Sequence, residues 1–308
     1  MNRKTSYLLF TTIFVGLLAC SDSEDKIPEE AMGLELRNNA SSAAIAIPDN
    51  YGARVAEDIL NSGGNAVDAA VATGFALAVT FIDAGNIGGG GFMTVKMDND
   101  IAFLDYREKA PLKAHKDMYL DAQGNVIGNI TLIGGQAAGV PGTVAGFWEA
   151  HKRFGKLPWN EVVKPAIDLA VNGFLPAPIL VDSIHSMEQR FDGKTNFYDY
   201  FNHINSSKVF KQPELAKTLG RIAEFGADDF YRGKTAALIV EEMKRSNGLI
   251  SAEDLDQYSA VWREPVRANW RDYEIISAPP PSSGGFAIVQ LLKMKDYLAE
   301  HFANIDHN

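Results

Sequence analysis

The chain has 308 residues, of which 46% are hydrophobic and 22% charged, enough to bury a sizeable core in one large domain or two ordinary ones. Its formal net charge is −10 and no basic cluster offsets it, which excludes a nucleic-acid binder. Cys20 is the only cysteine, so there is no internal disulfide framework.

Residues 1–19 read as a signal peptide. Arg3 and Lys4 form a positive start, and the apolar stretch 7–19 is short of the roughly 20 residues a membrane span needs. Leu17-Leu18-Ala19-Cys20 resembles a bacterial lipobox, which implies that Cys20 is lipidated and becomes the first residue of the mature protein. The other reading is a chance cysteine behind an ordinary signal. Residues 20–41 open with an acidic, polar tether, SDSEDKIPEE, expected to be flexible. Ser21, rather than Asp, after the cysteine points to the outer membrane. The expected location is therefore the bacterial cell envelope, with a lipid anchor as the only membrane contact.

From residue 42 the pattern is mixed α and β. Residues 51–60 form a helix ended by Gly63-Gly64. Asn65 and Asp68 make a box-like cap for the next helix, 66–81, which is apolar on nearly every face and so belongs in a core. Four consecutive glycines, Gly88 to Gly91, then lead into FMTVKM and IAFLD, a hairpin around DND. Pro111 stops the pairing. Pro141 opens a helix that ends at Gly155, and a second helix, 158–171, closes at Asn172-Gly173. Helical patterns recur at 214–224 and 227–245, and Ser251 with Asp254 again resembles a capping box. VWREPVRANW and YEIISA read as strands joined at Arg271-Asp272, followed by PPPSSGG and an apolar helix, 286–301. No linker divides residues 42–301 into independent domains, and residues 42–308 are expected to form one large-subunit portion.

The glycine run is no phosphate cradle. A dinucleotide fingerprint needs strand, glycines, then helix, and here a helix enters and a strand leaves. A Walker loop needs a following Lys-Ser/Thr, also absent. The run reads instead as a turn that brings backbone against a neighbouring segment or a ligand. The six histidines are scattered, outside any metal-binding spacing, and read as surface residues; no metal or cofactor is expected. Ser282 and Ser283 precede a helix, where capping is the commoner use than nucleophilic attack. Arg107 closes an apolar strand near the glycines. A guanidinium there can grip a carboxylate through two parallel hydrogen bonds, or pair with Asp105 or Glu108; spacing leaves both open.

Five ordered motifs, AGNIGGGGFM, FLDYREKAP, GVPGTVAGF, SNGLISAEDLDQY and SAPPPSSGG, resemble the γ-glutamyltransferase (glutathione hydrolase) family, and DAAVATGFALAVT fits as well. The resemblance covers roughly residues 42–298. It implies an α+β, Ntn-hydrolase type αββα sandwich of two stacked sheets between helical layers. It also implies a precursor that cuts itself into two subunits and frees a threonine, whose hydroxyl attacks the γ-glutamyl carbonyl while its own amine serves as base. Water or an amino acid then takes the acyl group. Arg107 matches the family arginine that binds the substrate's α-carboxylate.

The departure is that the family's nucleophile lies in a strand beyond the large subunit, together with the asparagine, aspartate and paired serines that complete its site. Thr94 in MTVKMD is a superficial match without cleavage context and is set aside. The sequence is therefore expected to be the large-subunit portion of a precursor, with an incomplete sandwich and no catalytic residue of its own. It is expected to be inactive alone, its partners being the small subunit and γ-glutamyl compounds such as glutathione. The alternatives are a non-catalytic surface lipoprotein binding γ-glutamyl or amino-acid ligands, a related Ntn-type acylase, and a capsule-peptide γ-glutamyl transferase.

Overall fold

The structure, a computed structural model, describes residues 43–191 and 193–302. The expected signal peptide, Cys20 and the acidic tether lie outside the described residues.

Helix α1 (Asn50–Asn61) begins where the Asp49 carboxylate accepts the Gly52 amide at 2.7 Å. It stops at Ser62, and Gly63 turns the chain away with φ +88°. Its buried residues Gly52, Val55, Ala56 and Ile59 recur at helical spacing and meet α2 (Ala66–Thr80). Helix α2 starts in the expected capping box, with Asn65 accepting the Asp68 amide and Asp68 accepting the Asn65 amide. Asp68 has a second use. Fully buried, it also accepts the amides of Lys156 and Leu157 at 3.0 and 3.3 Å. It thereby ties the junction of α3 (Thr143–Phe154) and α4 (Trp159–Asn172) to the start of α2. Val71, Ala72, Phe75, Ala76 and Val79 of α2 have no exposed surface, and α1, α3 and α4 all pack on this helix. Burying a side chain of the size of Phe75 stabilises by about 1.5–3 kcal/mol. An all-round apolar helix can be satisfied only by neighbours on every side, so α2 commits the helices around it to one arrangement.

Strands β1 (Phe92–Met97) and β2 (Asp100–Asp105) form the expected hairpin, turned at Asp98 with φ +50°. Beyond α4 come two helices that the sequence pattern did not disclose, α5 (Pro178–Phe191) and α6 (Phe197–Phe201). Leu180, Val181 and Ile184 of α5 are buried at helical spacing. The helix expected at 214–224 is α7 (Pro213–Phe225), which packs on α4.

Two expected elements are each divided in the structure. Residues 227–245 form α8 (Ala227–Arg232) and α9 (Lys234–Arg245), parted at Gly233. Asp229 is the cause: its carboxylate accepts the Lys234 amide at 3.1 Å and the Thr235 hydroxyl, starting a new helix from inside the old one. After the capped helix α10 (Ala252–Asp256), residues 261–270 form β3 (Val261–Arg263) and β4 (Val266–Trp270). Pro265 falls between them and has no amide to give to a ladder. The halves join different sheets. β3 adds antiparallel to β2, with Asp105 opposite Val261, whereas β4 pairs with β5 (Tyr273–Ser277).

The last described helix, α11 (Gly284–His301), lies on β4 and β5 and buries only Gly285. Leu291 is 64% exposed and Met294 59%. The fold is thus α+β, a portion of the expected sandwich. Among the described residues no helix is long and apolar enough to cross a membrane.

Candidate functional site

The site is built where β2 ends. Its last residues turn inward, and the chain leaves the strand through Tyr106, whose ring is buried against Phe147. Tyr106 exchanges backbone hydrogen bonds with Gly91, extending the β1–β2 ladder by one pair. Next to it, a Cβ on Gly90 would stand 2.6 Å from the Tyr106 carbonyl oxygen and 2.9 Å from the Arg107 Cα, both backbone atoms. No residue with a side chain fits there. The carbonyl of Gly89 in turn accepts the amides of Gly142 and Thr143 at 2.6 and 3.1 Å, where α3 begins. None of the four glycines has positive φ. The run therefore answers to space, not to left-handed backbone: it straps the end of β2 to the start of α3.

Arg107 follows. Its amide donates to Asp105 Oδ1 at 3.1 Å, and its carbonyl accepts the Tyr258 hydroxyl at 2.9 Å. Its guanidinium is exposed, 5.9 Å from the centre of the Phe92 ring. Among the described residues no carboxylate pairs with it. Asp105 is engaged elsewhere, since Oδ2 accepts Arg263 Nε at 2.8 Å. The ion-pair reading of Arg107 thus has no support in the geometry.

Arg107, Lys109 and Arg263 line one cavity of about 320 Å³ with Asp105, Glu108, Val261 and Pro281. With Asp105 neutralised by Arg263, the cations outnumber the remaining carboxylate, and the cavity suits an anionic group. Lys109 donates to the Ser259 carbonyl at 3.1 Å and lies 4.9 Å over the Tyr258 ring. Burial, with the Asp105 and Glu108 carboxylates adding to it, pushes the Tyr258 hydroxyl well above the ordinary tyrosine range. It stays a donor at any working pH. Tyr258 and Arg263 were not distinguished by sequence reasoning; Tyr258 closes the SNGLISAEDLDQY motif, and that was the only signal.

The remaining candidates lie apart from this cluster. Thr94 sits exposed in β1 opposite Phe103. Ser282 accepts the Gly284 amide at 3.3 Å, a helix-start bond, whereas Ser283 at the N-cap makes none. His115, His185, His203 and His301 are exposed as expected, and His307 lies outside the described residues. His151 corrects the expectation. Its ring packs on Trp159, with Nε2 2.8 Å from the Leu157 carbonyl and 3.6 Å from Asp68, because α3 turns it inward at the α4 junction. Among the described residues no group of three or more acidic, His or Cys side chains is placed to hold a metal.

The γ-glutamyltranspeptidase family model matches residues 52–308. The chain belongs to the γ-glutamyltranspeptidase family. This is a family of Ntn-hydrolase enzymes. The chain is 51% identical over 301 residues to the glutathione hydrolase proenzyme of Pseudomonas aeruginosa, covering 98% of this chain and 52% of that one. It spans about half the length of the curated relatives it matches. Among solved structures it resembles the γ-glutamyltranspeptidase of Pseudomonas nitroreducens complexed with L-DON, at TM-score 0.84 and 54% identity, over 87% of this chain and 80% of that one. It also resembles the Helicobacter pylori γ-glutamyltranspeptidase, at TM-score 0.79 and 43% identity, over 81% of this chain and 73% of that one.

Proposed function

We propose that this chain is the large-subunit portion of a glutathione hydrolase precursor. In this reading it supplies the carboxylate anchor of a site that cleaves γ-glutamyl amides such as glutathione. The observation that carries the reading is the guanidinium of Arg107. It is exposed at a cation-rich cavity, held by its backbone, and free of any carboxylate among the described residues. A planar fork in that condition receives an α-carboxylate through two parallel bonds.

The nucleophile is a threonine freed by self-cleavage in the segment that the longer relatives carry. Its hydroxyl attacks the γ-glutamyl carbonyl, its amine takes the proton, and the amine of the substrate leaves carrying a proton. The ester that remains is opened by water, giving glutamate, or by an amino acid, giving a new γ-glutamyl amide. Backbone amides stabilise the oxyanion. On this reading turnover requires the segment that bears the threonine. Cys20 carries a lipid that holds the protein on the outer membrane, facing the periplasm or the cell surface.

A γ-glutamyl anilide tests this. The chain alone should release no amine, and the chain joined to a downstream segment bearing the threonine should release it. Turnover by the chain alone would sink the reading. For the anchor, Cys20→Ala should abolish incorporation of labelled fatty acid.

A further inference from the structure

We infer that Tyr258 is a positioning residue for carboxylate recognition: its hydroxyl fixes the peptide that aims the Arg107 guanidinium into the cavity. The inference rests on the reading of Arg107 as the carboxylate anchor. A guanidinium on a long side chain is aimed only as well as the backbone that carries it. Arg107 stands just past the end of β2, where no ladder holds it, yet both of its backbone groups are engaged by side chains. Asp105 takes the amide from two residues away. Tyr258 donates to the carbonyl at 2.9 Å from 151 positions along the chain.

Tyr258 is itself held. It is buried, and its ring stacks on Tyr231 with centroids 5.5 Å apart and an interplanar angle of 9°. The Tyr231 hydroxyl donates to the Pro141 carbonyl at 2.8 Å and accepts the Ala145 amide at 3.2 Å, both at the start of α3. The hydroxyl of Tyr258 is thus located by the core, and Arg107 is located by the hydroxyl. Burial keeps Tyr258 protonated, so the bond does not titrate away under assay conditions.

The test uses the matured enzyme that carries this chain as its N-terminal half. Tyr258→Phe keeps the stacked ring and removes the donor. KM for a γ-glutamyl anilide should rise about threefold to tenfold, the span of one net hydrogen bond, with kcat unchanged. In an Arg107→Ala background the same substitution should add nothing. Thr80→Val is the structural control: it removes a buried hydroxyl whose partners are Asp49 and the Ala76 carbonyl, so it should lower Tm and leave KM alone. An unchanged KM in Tyr258→Phe overturns the inference, as does a rise of equal size in the Arg107→Ala background. If Arg107→Ala itself leaves KM unchanged, the anchor reading falls and takes this inference with it. If Arg107→Ala raises KM and Tyr258→Phe does not, only the inference falls. Should Tyr258→Phe fail to accumulate, Asp105→Ala combined with Arg263→Ala frees the Arg107 amide without leaving Arg263 unpaired in the cavity. It should then raise KM with kcat kept, and an unchanged KM counts against the clamp.

Discussion

Arg263 Nε stands 2.8 Å from Asp105 Oδ2, bridging β3 to β2 directly beside Arg107. The pair has a consequence for charge. Asp105 lies two residues from Arg107 and would be its nearest counter-ion if it were free. Arg263→Ala should release that carboxylate to neutralise the Arg107 guanidinium. The expected outcome is a raised KM for γ-glutamyl donors. The stability lost should be only about 1 kcal/mol, since the Arg263 side chain is partly solvated. Steady-state kinetics and urea titration of the matured enzyme separate the two effects.

Gly90 and Gly88 should respond oppositely to the same change. A methyl group on Gly90 meets the backbone of Tyr106 and Arg107, whereas one on Gly88 meets nothing within 4 Å. Gly90→Ala should cost about 1–3 kcal/mol by overpacking. Gly88→Ala should be neutral, or stabilise by up to about 1 kcal/mol through the unfolded chain. Equal unfolding midpoints for the two variants would refute the strap.

Asp254 sets an acid limit on stability. Burial alone would raise its carboxyl, but hydrogen bonds from Ser251 and from the Leu112 amide outweigh that and hold it below the ordinary aspartate value. The folded value lies below the unfolded one. Its contribution is therefore present in full above the unfolded pKa, about 3.9, and is lost as pH falls through the folded value. Asp254→Asn should lower stability at pH 7 and flatten the dependence between about pH 5 and 2. Thermal melts across that range read the slope.

The bare face of α11 should make the isolated chain self-associate. Leu291 and Met294 are exposed on a helix that buries only Gly285, and Phe286 and Tyr297 lie open as well. Static light scattering should show particles larger than one chain. Leu291→Lys with Met294→Lys should reduce them.

What the sequence disclosed was local. Asn65 and Asp68 name a helix start within four residues, and both capping boxes form. The hairpin at 92–105 is equally short-ranged. The divided elements were missed for tertiary reasons. Gly233 breaks a helix because Asp229 caps across it, and no helical period records where a carboxylate will turn. The two halves of 261–270 separate because their pairing partners, β2 and β5, lie in different sheets. In the site, Arg107 was visible as a cation at a strand end. The hydroxyl that holds it comes from 151 positions away, and no spacing rule reaches that far.

Only Glu264 and Pro265 lie between β3, which lines the cavity, and β4, which carries α11 on its sheet. Two extended residues span about 7 Å at most. The ribbon and its helix therefore have almost no slack. A displacement of β4 and α11 beyond that reach would have to pull on Arg263 and its pairing with β2.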